Sequence, residues 1–184
     1  MPHDPFLLLM DRDGTLMVDV GYPNDPDTVR LVPGAAEAVR AMVQLGAVPA
    51  VVSNQSGIAR GRITRDQAMA VHTRFVDLFE AASGVKLPCF YCPHGPNAGC
   101  KCRKPKPKLL KTAAYTLGFT GSPTVIIGDK PADVLAGKAF GAYTIWLSHG
   151  NMYTEEPPPD AIATNWPAAD AILRQWIVTK DETA

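Results

Sequence analysis

Short apolar segments alternate with segments of helical periodicity along most of this 184-residue chain, and this alternation restricts the possible folds more than any other feature. Buried strands of a parallel sheet read as continuous apolar runs, whereas the connecting helices are apolar on one side only. Right-handed crossovers then place helices on both faces of the sheet. We therefore predict an α/β fold with a doubly wound, mostly parallel, Rossmann-like sheet. The predicted strands are 6–10, 47–52, 85–91, 124–128 and 142–147, and the predicted helices are 34–45, 64 onward, 107–117, 131–140 and 167–177.

The second predicted helix begins with a capping box, in which the side chains of Thr64 and Gln67 each pair with a backbone amide of the other residue. Its predicted buried face consists of Met69, His72, Val76 and Phe79. Three prolines argue against a helix in segment 17–33. The polar tail, residues 179–184, is predicted to fray.

Polar residues follow three of the predicted strands directly. Asp11 and Asp13 come after the first strand, Ser53 after the second, and Asp129 after the fourth. The carboxyl ends of parallel strands meet at one edge of the sheet, where open α/β folds bind ligands. We expect these four side chains to converge on one site.

Several acids at one edge repel one another unless a hard cation lies among them, and carboxylate oxygens suit Mg²⁺. One carboxylate of such a site can act as a nucleophile, while a second moves protons. A serine hydroxyl and a lysine can stabilise a phosphoryl group. The alternative is a set of unrelated helix caps and turn acids, and spacing alone does not separate the two interpretations.

The four cysteines all lie between residues 89 and 102, which favours a metal site over a disulfide framework. With His94 they offer five soft ligands for a tetrahedral zinc ion. One set is Cys89, Cys92, Cys100 and Cys102, and the other replaces Cys89 by His94. Cys89 shares the apolar face of the predicted third strand, which is typical of a buried core cysteine.

The net charge is zero, so no global field attracts nucleic acid or an anionic membrane. No apolar run approaches the roughly 20 residues of a membrane span, and the first residues do not resemble a signal peptide. We expect a cytoplasmic protein that binds neither membrane nor nucleic acid. The basic segment 101–108 leaves one alternative, a zinc-organised nucleic-acid-binding module or DNA-end phosphatase.

Four ordered motifs resemble those of the haloacid-dehalogenase-like (HAD) phosphatases: Asp11-Arg12-Asp13-Gly14-Thr15, Ser53, Lys104, and Gly128-Asp129-Lys130-x-x-Asp133. The resemblance implies that Asp11 is the nucleophile and Asp13 the general acid/base. It also implies that Asp11, the Asp13 carbonyl and Asp129 bind Mg²⁺, and that Ser53 and Lys104 hold the phosphoryl group.

The intervals between the motifs leave no room for an inserted cap domain, so we expect residues 1–184 to form a single domain. The segment from Cys92-Pro93-His94 to Cys100-x-Cys102 is similar to the zinc loop of a capless branch of this superfamily. That resemblance implies a structural zinc ion held by Cys92, His94, Cys100 and Cys102, within a loop that spans residues 89–108.

Within that branch, Asp19-x-Gly21-Tyr22, the segment 53–61 and Gly128-Asp129-Lys130 resemble phosphatases of D-glycero-D-manno-heptose 1,7-bisphosphate. The resemblance implies removal of the 7-phosphate. We also expect the enzyme to be a monomer. The alternative substrate is histidinol phosphate, since the short segment 95–99 is also seen in histidinol phosphatases. The expected substrate contacts are Asp19, Val20, Gly21, Tyr22, Ser53, Asn54, Gln55, Ser56, Arg103, Lys104 and Lys130.

Overall fold

The computed structural model describes residues 4–182, with only the backbone for residues 181 and 182, and contains one parallel six-stranded sheet. The strands are β1 (Phe6–Met10), β2 (Ala47–Asn54), β3 (Cys89–Cys92), β4 (Thr124–Gly128), β5 (Tyr143–Leu147) and β6 (Ala161–Ala163). The helices are α1 (Ala35–Gln44), α2 (Arg65–Ser83), α3 (Lys108–Leu117), α4 (Pro131–Phe140) and α5 (Trp166–Glu182). The predicted α/β fold with a parallel sheet is confirmed.

The side chains of β1 alternate between two hydrophobic cores, one on each face of the sheet. Phe6, Leu8 and Met10 belong to the core that α1, α2 and α5 cover. Leu7 and Leu9 belong to the second core, which also contains the buried face of α3. Since all five residues are fully buried, β1 is the central strand of a doubly wound sheet.

The strand order is β3-β2-β1-β4-β5-β6, so the order reverses between β1 and β4. Met10 lies opposite Val51 of β2 and Ile127 of β4, which places the ends of these three strands side by side. The amide of Asp11 donates to the carbonyl of Ile127 at 3.0 Å. The fold thus brings the residues after β1, β2 and β4 to the switch point, where ligands bind in this architecture.

The structure corrects several predicted boundaries. β2 continues to Asn54, two residues past its predicted end, so Ser53 lies within the strand. β3 starts at Cys89 instead of residue 85, after Pro88, which accepts from the Val51 amide but has no amide to donate. The expected frayed tail is wrong for residues 179–182, which continue α5. Lys180 donates to the carbonyl of Asp4, so this last part of the helix contacts the start of the chain. Residues 183 and 184 lie outside the described range.

The predicted face of α2 was correct at Phe79 and Val76 and wrong at Met69. Met69 is 59% exposed, and the apolar side chains buried along the helix are Val71, Phe75 and Phe79, at intervals of four residues. Strand β6 was missed because it has three residues and follows a run of prolines. Asp160 supports it by accepting hydrogen bonds from the amide and hydroxyl of Thr144, each at 2.8 Å.

Between β1 and β2 lie a 3-10 turn (Pro26–Thr28) and α1, and between β2 and α3 lie α2, β3 and the cysteine loop. These short connections are compatible with a fold that lacks a cap domain. Among the described helices, none has the length and apolar character needed to cross a membrane.

Candidate active site

A buried lysine joins the ends of the central strands. Lys104 comes from the loop before α3, and its Nζ atom lies 3.1 Å from Asp11 Oδ1 and 2.5 Å from Asp133 Oδ1. Nζ also donates to the carbonyl of Val52 at 2.6 Å. Burial alone would lower the pKa of Lys104, but the two carboxylates outweigh burial and raise that pKa. The lysine is therefore charged, and it holds the two acids together.

Asp129 follows β4 and lies against the turn after Asp13. Thr15 Oγ1 donates to Asp129 Oδ1 at 3.3 Å, and Lys130 Nζ lies 2.9 Å from Asp129 Oδ2. Gly14 has a φ of +80°, and a Cβ atom at this position would overlap the Asp129 carboxylate. A glycine is needed there both for the positive φ and for the close approach of the acid.

The carboxylates of Asp11, Asp129 and Asp133 lie together, with one oxygen of each within 4.8 Å of the others. Burial raises the pKa of Asp129 and of Asp133, and the negative charge of Asp11 raises both pKa values further. Asp11 Oδ1 is buried and, apart from its ion pair with Lys104, has no hydrogen bond. Hard oxygen donors with one under-satisfied atom fit Mg²⁺. The Asp13 side chain is not part of this cluster.

Asp13 has a different environment from Asp11. Arg12 donates to both of its oxygens, from Nε to Oδ1 and from Nη2 to Oδ2, each at 3.0 Å. Gln55 Nε2 donates to Oδ2 at 2.6 Å. Burial raises the pKa of Asp13, and the charge of Arg12 offsets only part of that rise. Arg12 had no predicted role, although its place between two motif aspartates was a visible signal.

Ser53 is buried at the end of β2, and its hydroxyl accepts a hydrogen bond from Gln55 Nε2 at 3.1 Å. The hydroxyl hydrogen is therefore left to donate to a ligand. Gln55, which was expected to contact substrate, bridges Ser53 and Asp13. Ser56, another expected contact, is buried in the same segment.

Asn54 holds the backbone of Lys104. Its Oδ1 accepts from the Lys104 amide and its Nδ2 donates to the Lys104 carbonyl, each at 3.0 Å. This pair of bonds joins β2 to a loop 50 residues further along the chain. The side chain expected to bind substrate thus positions the lysine.

The expected contacts 19–22 lie in an exposed loop beside Asp129. Lys130 Nζ bridges Asp129 to Asp19 Oδ2, which is 3.1 Å away, and Asp19 also accepts from the amide of Gly21. Val20 and Tyr22 are exposed. The loop thus exposes two large side chains to solvent.

A cleft of about 340 Å³ opens between this loop and the carboxylate cluster, lined by Gly14, Asp19, Asp129 and His149 among others. His149 contacts the carbonyl of Gly14 through Nε2 at 2.6 Å. Its φ of +47° is unusual for a residue with a side chain.

Four ligands converge in the cysteine loop: Cys92, His94, Cys100 and Cys102. Cys92 Sγ lies 3.7 Å from Cys100 Sγ, 3.1 Å from Cys102 Sγ and 3.5 Å from His94 Nδ1. Ligand atoms around a tetrahedral zinc ion lie about 3.6–3.8 Å apart. Cys89 is absent from this cluster and packs against the main hydrophobic core.

Arg103 follows Cys102 and donates from Nη1 to the carbonyl of His94 at 3.2 Å. Lys106 Nζ donates to the carbonyl of Cys100. Both side chains therefore bind the cysteine loop, and of the basic run that they share with Lys104 only Lys104 is buried. In the part of the chain that the structure describes, the ion pairs to Asp11, Asp129 and Asp133 come from Lys104 and Lys130, and none comes from Arg103.

The strand order and the carboxylates at the switch point together indicate a hydrolase of the HAD-like class. A family model described as HAD-hydrolase-like matches residues 101–169. The crystal structure of D,D-heptose 1,7-bisphosphate phosphatase from B. bronchiseptica, in complex with magnesium and phosphate, superposes with a TM-score of 0.79. It is 27% identical, and the match covers 92% of this chain and 98% of that one.

Relatives in sequence narrow the assignment from HAD-like hydrolases in general to one group of phosphatases. The D-glycero-beta-D-manno-heptose-1,7-bisphosphate 7-phosphatase of Pasteurella multocida is 37% identical over 81% of this chain and 85% of its own length. The protein of the same name from Vibrio cholerae is 35% identical over 85% of this chain and 88% of its own length. The chain belongs to the HAD-like heptose-1,7-bisphosphate 7-phosphatase family.

We predict that Asn54→Ala lowers the free energy of unfolding by about 1–3 kcal/mol, because it leaves the buried backbone of Lys104 without two partners. Urea unfolding measures this change. Asn97→Ala, at an exposed position of the cysteine loop, is the control and should change stability by less than about 0.5 kcal/mol. Equal effects of the two substitutions would contradict the positioning role of Asn54.

Proposed function

We propose that this protein removes the 7-phosphate of D-glycero-D-manno-heptose 1,7-bisphosphate through an aspartyl-phosphate on Asp11. The observation that carries this proposal is the placement of Asp11 next to Lys104 and within a cluster of carboxylates at the switch point. The family relatives carry this activity in their names. The reaction requires a nucleophile, a proton donor and charge stabilisation, and the site offers a candidate for each.

Asp11 and Asp129, together with the main-chain carbonyl of Asp13, would hold Mg²⁺, and the nearby carboxylate of Asp133 adds negative charge to this position. When bound, the ion neutralises charge on the phosphoryl oxygens and orients them for attack. The related B. bronchiseptica phosphatase was crystallised with magnesium and phosphate, which supports this assignment.

In the first step a carboxylate oxygen of Asp11 forms a bond to phosphorus, and the bond from phosphorus to the sugar oxygen breaks. Asp13 gives its proton to that leaving oxygen. In the second step Asp13 takes a proton from water, whose oxygen attacks the same phosphorus. The Asp11 carboxylate and inorganic phosphate are released.

Lys104 and Ser53 would hold the transferred phosphoryl group. Nζ of Lys104 is 3.1 Å from Asp11, so it can reach an oxygen of a phosphoryl group bound there. The hydroxyl of Ser53 has a hydrogen free to donate. Each such contact is worth roughly 3–4 kcal/mol in the transition state by analogy with oxyanion donors.

The loop around Asp19 forms one wall of the cleft and would contact the sugar. We retain the proposal that Lys130 and Arg103 contribute positive charge toward the second phosphate. The remaining proposed contacts are Val20, Gly21, Tyr22, Asn54, Gln55 and Ser56. Asn54 and Gln55 would act mainly by positioning Lys104 and Asp13, since their side-chain amides are bonded there.

We propose a structural role for zinc at Cys92, His94, Cys100 and Cys102. Four protein ligands leave no coordination position open for chemistry. Cys102 is two residues before Lys104, so the ion would fix the loop that delivers the lysine. We further propose that residues 1–184 form one domain without a cap, active as a monomer in the cytoplasm.

The substrate is tested by comparing phosphate release from the heptose bisphosphate and from histidinol phosphate. We expect kcat/KM to be at least tenfold higher for the heptose bisphosphate, because two phosphates can engage Lys104 and the peripheral cations. The short segment 95–99 is the feature that favours histidinol phosphate. A preference for that substrate would refute the substrate assignment while leaving the phosphatase mechanism in place.

We predict that Asp11→Asn reduces kcat by at least about 10³-fold, since an amide cannot form the acyl-phosphate. The measurement is phosphate release under single-turnover conditions, with the urea midpoint as a check of folding. Asp66→Asn, at an exposed position of α2, is the matched control and should retain full activity. Residual activity of more than a few per cent in Asp11→Asn would exclude covalent catalysis.

The zinc assignment predicts different behaviour for two neighbouring ligand candidates. His94→Ala should lower the zinc content well below one ion per chain, whereas Cys89→Ser should retain one ion. Metal analysis of the purified variants measures both. Loss of zinc from Cys89→Ser together with retention by His94→Ala would reverse the ligand set.

A further inference from the structure

Arg12 is a buried cation between the two motif aspartates, and it contacts Asp13 and not Asp11. Its side chain is 4% exposed, against 18% for Asp13. Two of its nitrogen atoms donate to the two oxygens of Asp13, and Nη2 also donates to Gln55 Oε1 at 3.0 Å. An interaction between adjacent residues with this fork geometry fixes the rotamer of the carboxylate.

The guanidinium of Arg12 also contacts the ring of Tyr91, which in turn packs against His72. The guanidinium lies 5.6 Å from the centre of the Tyr91 ring, a distance at which a cation–π interaction forms. The hydroxyl of Tyr91 is 2.9 Å from His72 Nδ1, and the two rings meet edge to face. Tyr91 is the third residue of β3 and His72 belongs to α2, so the support for Arg12 comes from two elements.

These contacts occupy the Arg12 guanidinium with groups of the protein itself. Within the described range, Asp13 is the one carboxylate with which it forms an ion pair. Its remaining surface faces a cavity of about 300 Å³ whose lining is mostly apolar and includes Ile58, Ile63 and Met69. A doubly phosphorylated sugar does not suit that cavity.

We propose that Arg12 is a positioning residue: together with Gln55 it holds the Asp13 carboxyl group in the orientation for proton transfer, and the ring of Tyr91, which contacts His72, supports Arg12. This inference rests on the proposed function, because it assigns Arg12 an action through the general acid/base. Three donors to one short side chain leave it a single orientation. Misplacement of a catalytic group by about 1 Å can cost about 10²-fold in rate.

The proposal is tested with Arg12→Gln, which has the length to stay in place but cannot reach both oxygens of Asp13. We expect kcat for the heptose bisphosphate to fall about 10- to 100-fold while KM changes less than about threefold. Arg12→Lys keeps the positive charge but has one nitrogen in place of the two that bind Asp13, so it should recover only part of the lost kcat. Arg65→Gln, which lines the same cavity, is the control and should match the unmodified enzyme.

A second substrate separates positioning from a structural defect. The leaving group of 4-nitrophenyl phosphate departs without a proton, so the first step needs no acid, whereas the second still needs Asp13 as base. Arg12→Gln should therefore release a rapid burst of one 4-nitrophenol per enzyme and then turn over slowly. Tyr91→Leu should show a weaker form of the same behaviour, and Tyr91→Phe, which keeps the ring, should show little.

Three results would overturn the proposal. A large rise in KM with unchanged kcat would make Arg12 a substrate-binding residue. Equal losses on both substrates, without a burst and with a lowered urea midpoint, would make it a structural residue. Unchanged kinetics in Arg12→Gln would assign it no part in catalysis. Failure of the unmodified enzyme to release phosphate from either substrate would instead refute the proposed function.

Discussion

The site depends on one buried ammonium group. Asp11 and Asp133 are both buried at the carboxyl edge of the sheet, and charges without partners there would cost several kcal/mol each. Lys104 contacts both carboxylates and also a strand carbonyl, so its charge is paired and its hydrogens have acceptors. Asp129 obtains its cation from the adjacent Lys130. A divalent cation would neutralise the negative charge that these two lysines leave unbalanced.

Lys104 cannot hold the acids unless its own loop is held. Two features support this loop. The side chain of Asn54 binds the backbone of Lys104, and Cys102, two residues before Lys104, belongs to the cysteine cluster. The cluster lies outside the catalytic chemistry that we propose. It bears on that chemistry through the backbone, because a loop without regular structure needs local support to place a side chain accurately.

The two aspartates after β1 are two residues apart and have different surroundings. Asp11 lies against Lys104 at the base of the site, whereas Asp13 is held by Arg12 and Gln55. Paired carboxylates with distinct environments can take distinct roles, one as nucleophile and one as proton carrier.

The alternation of apolar and amphipathic segments by itself determined the parallel sheet and the convergence of Asp11 and Asp129, because strand ends in such a sheet share one edge. Only the tertiary structure decided which face of α2 is buried. Only the tertiary structure showed that the side chain of Asn54 binds the backbone of Lys104. It alone showed that the side chain of Arg12 binds the carboxylate of Asp13. These features depend on partners brought together by the packing of whole elements, some of them 50 residues apart in the chain. Local periodicity reports how one element meets solvent, and it carries no information about such partners.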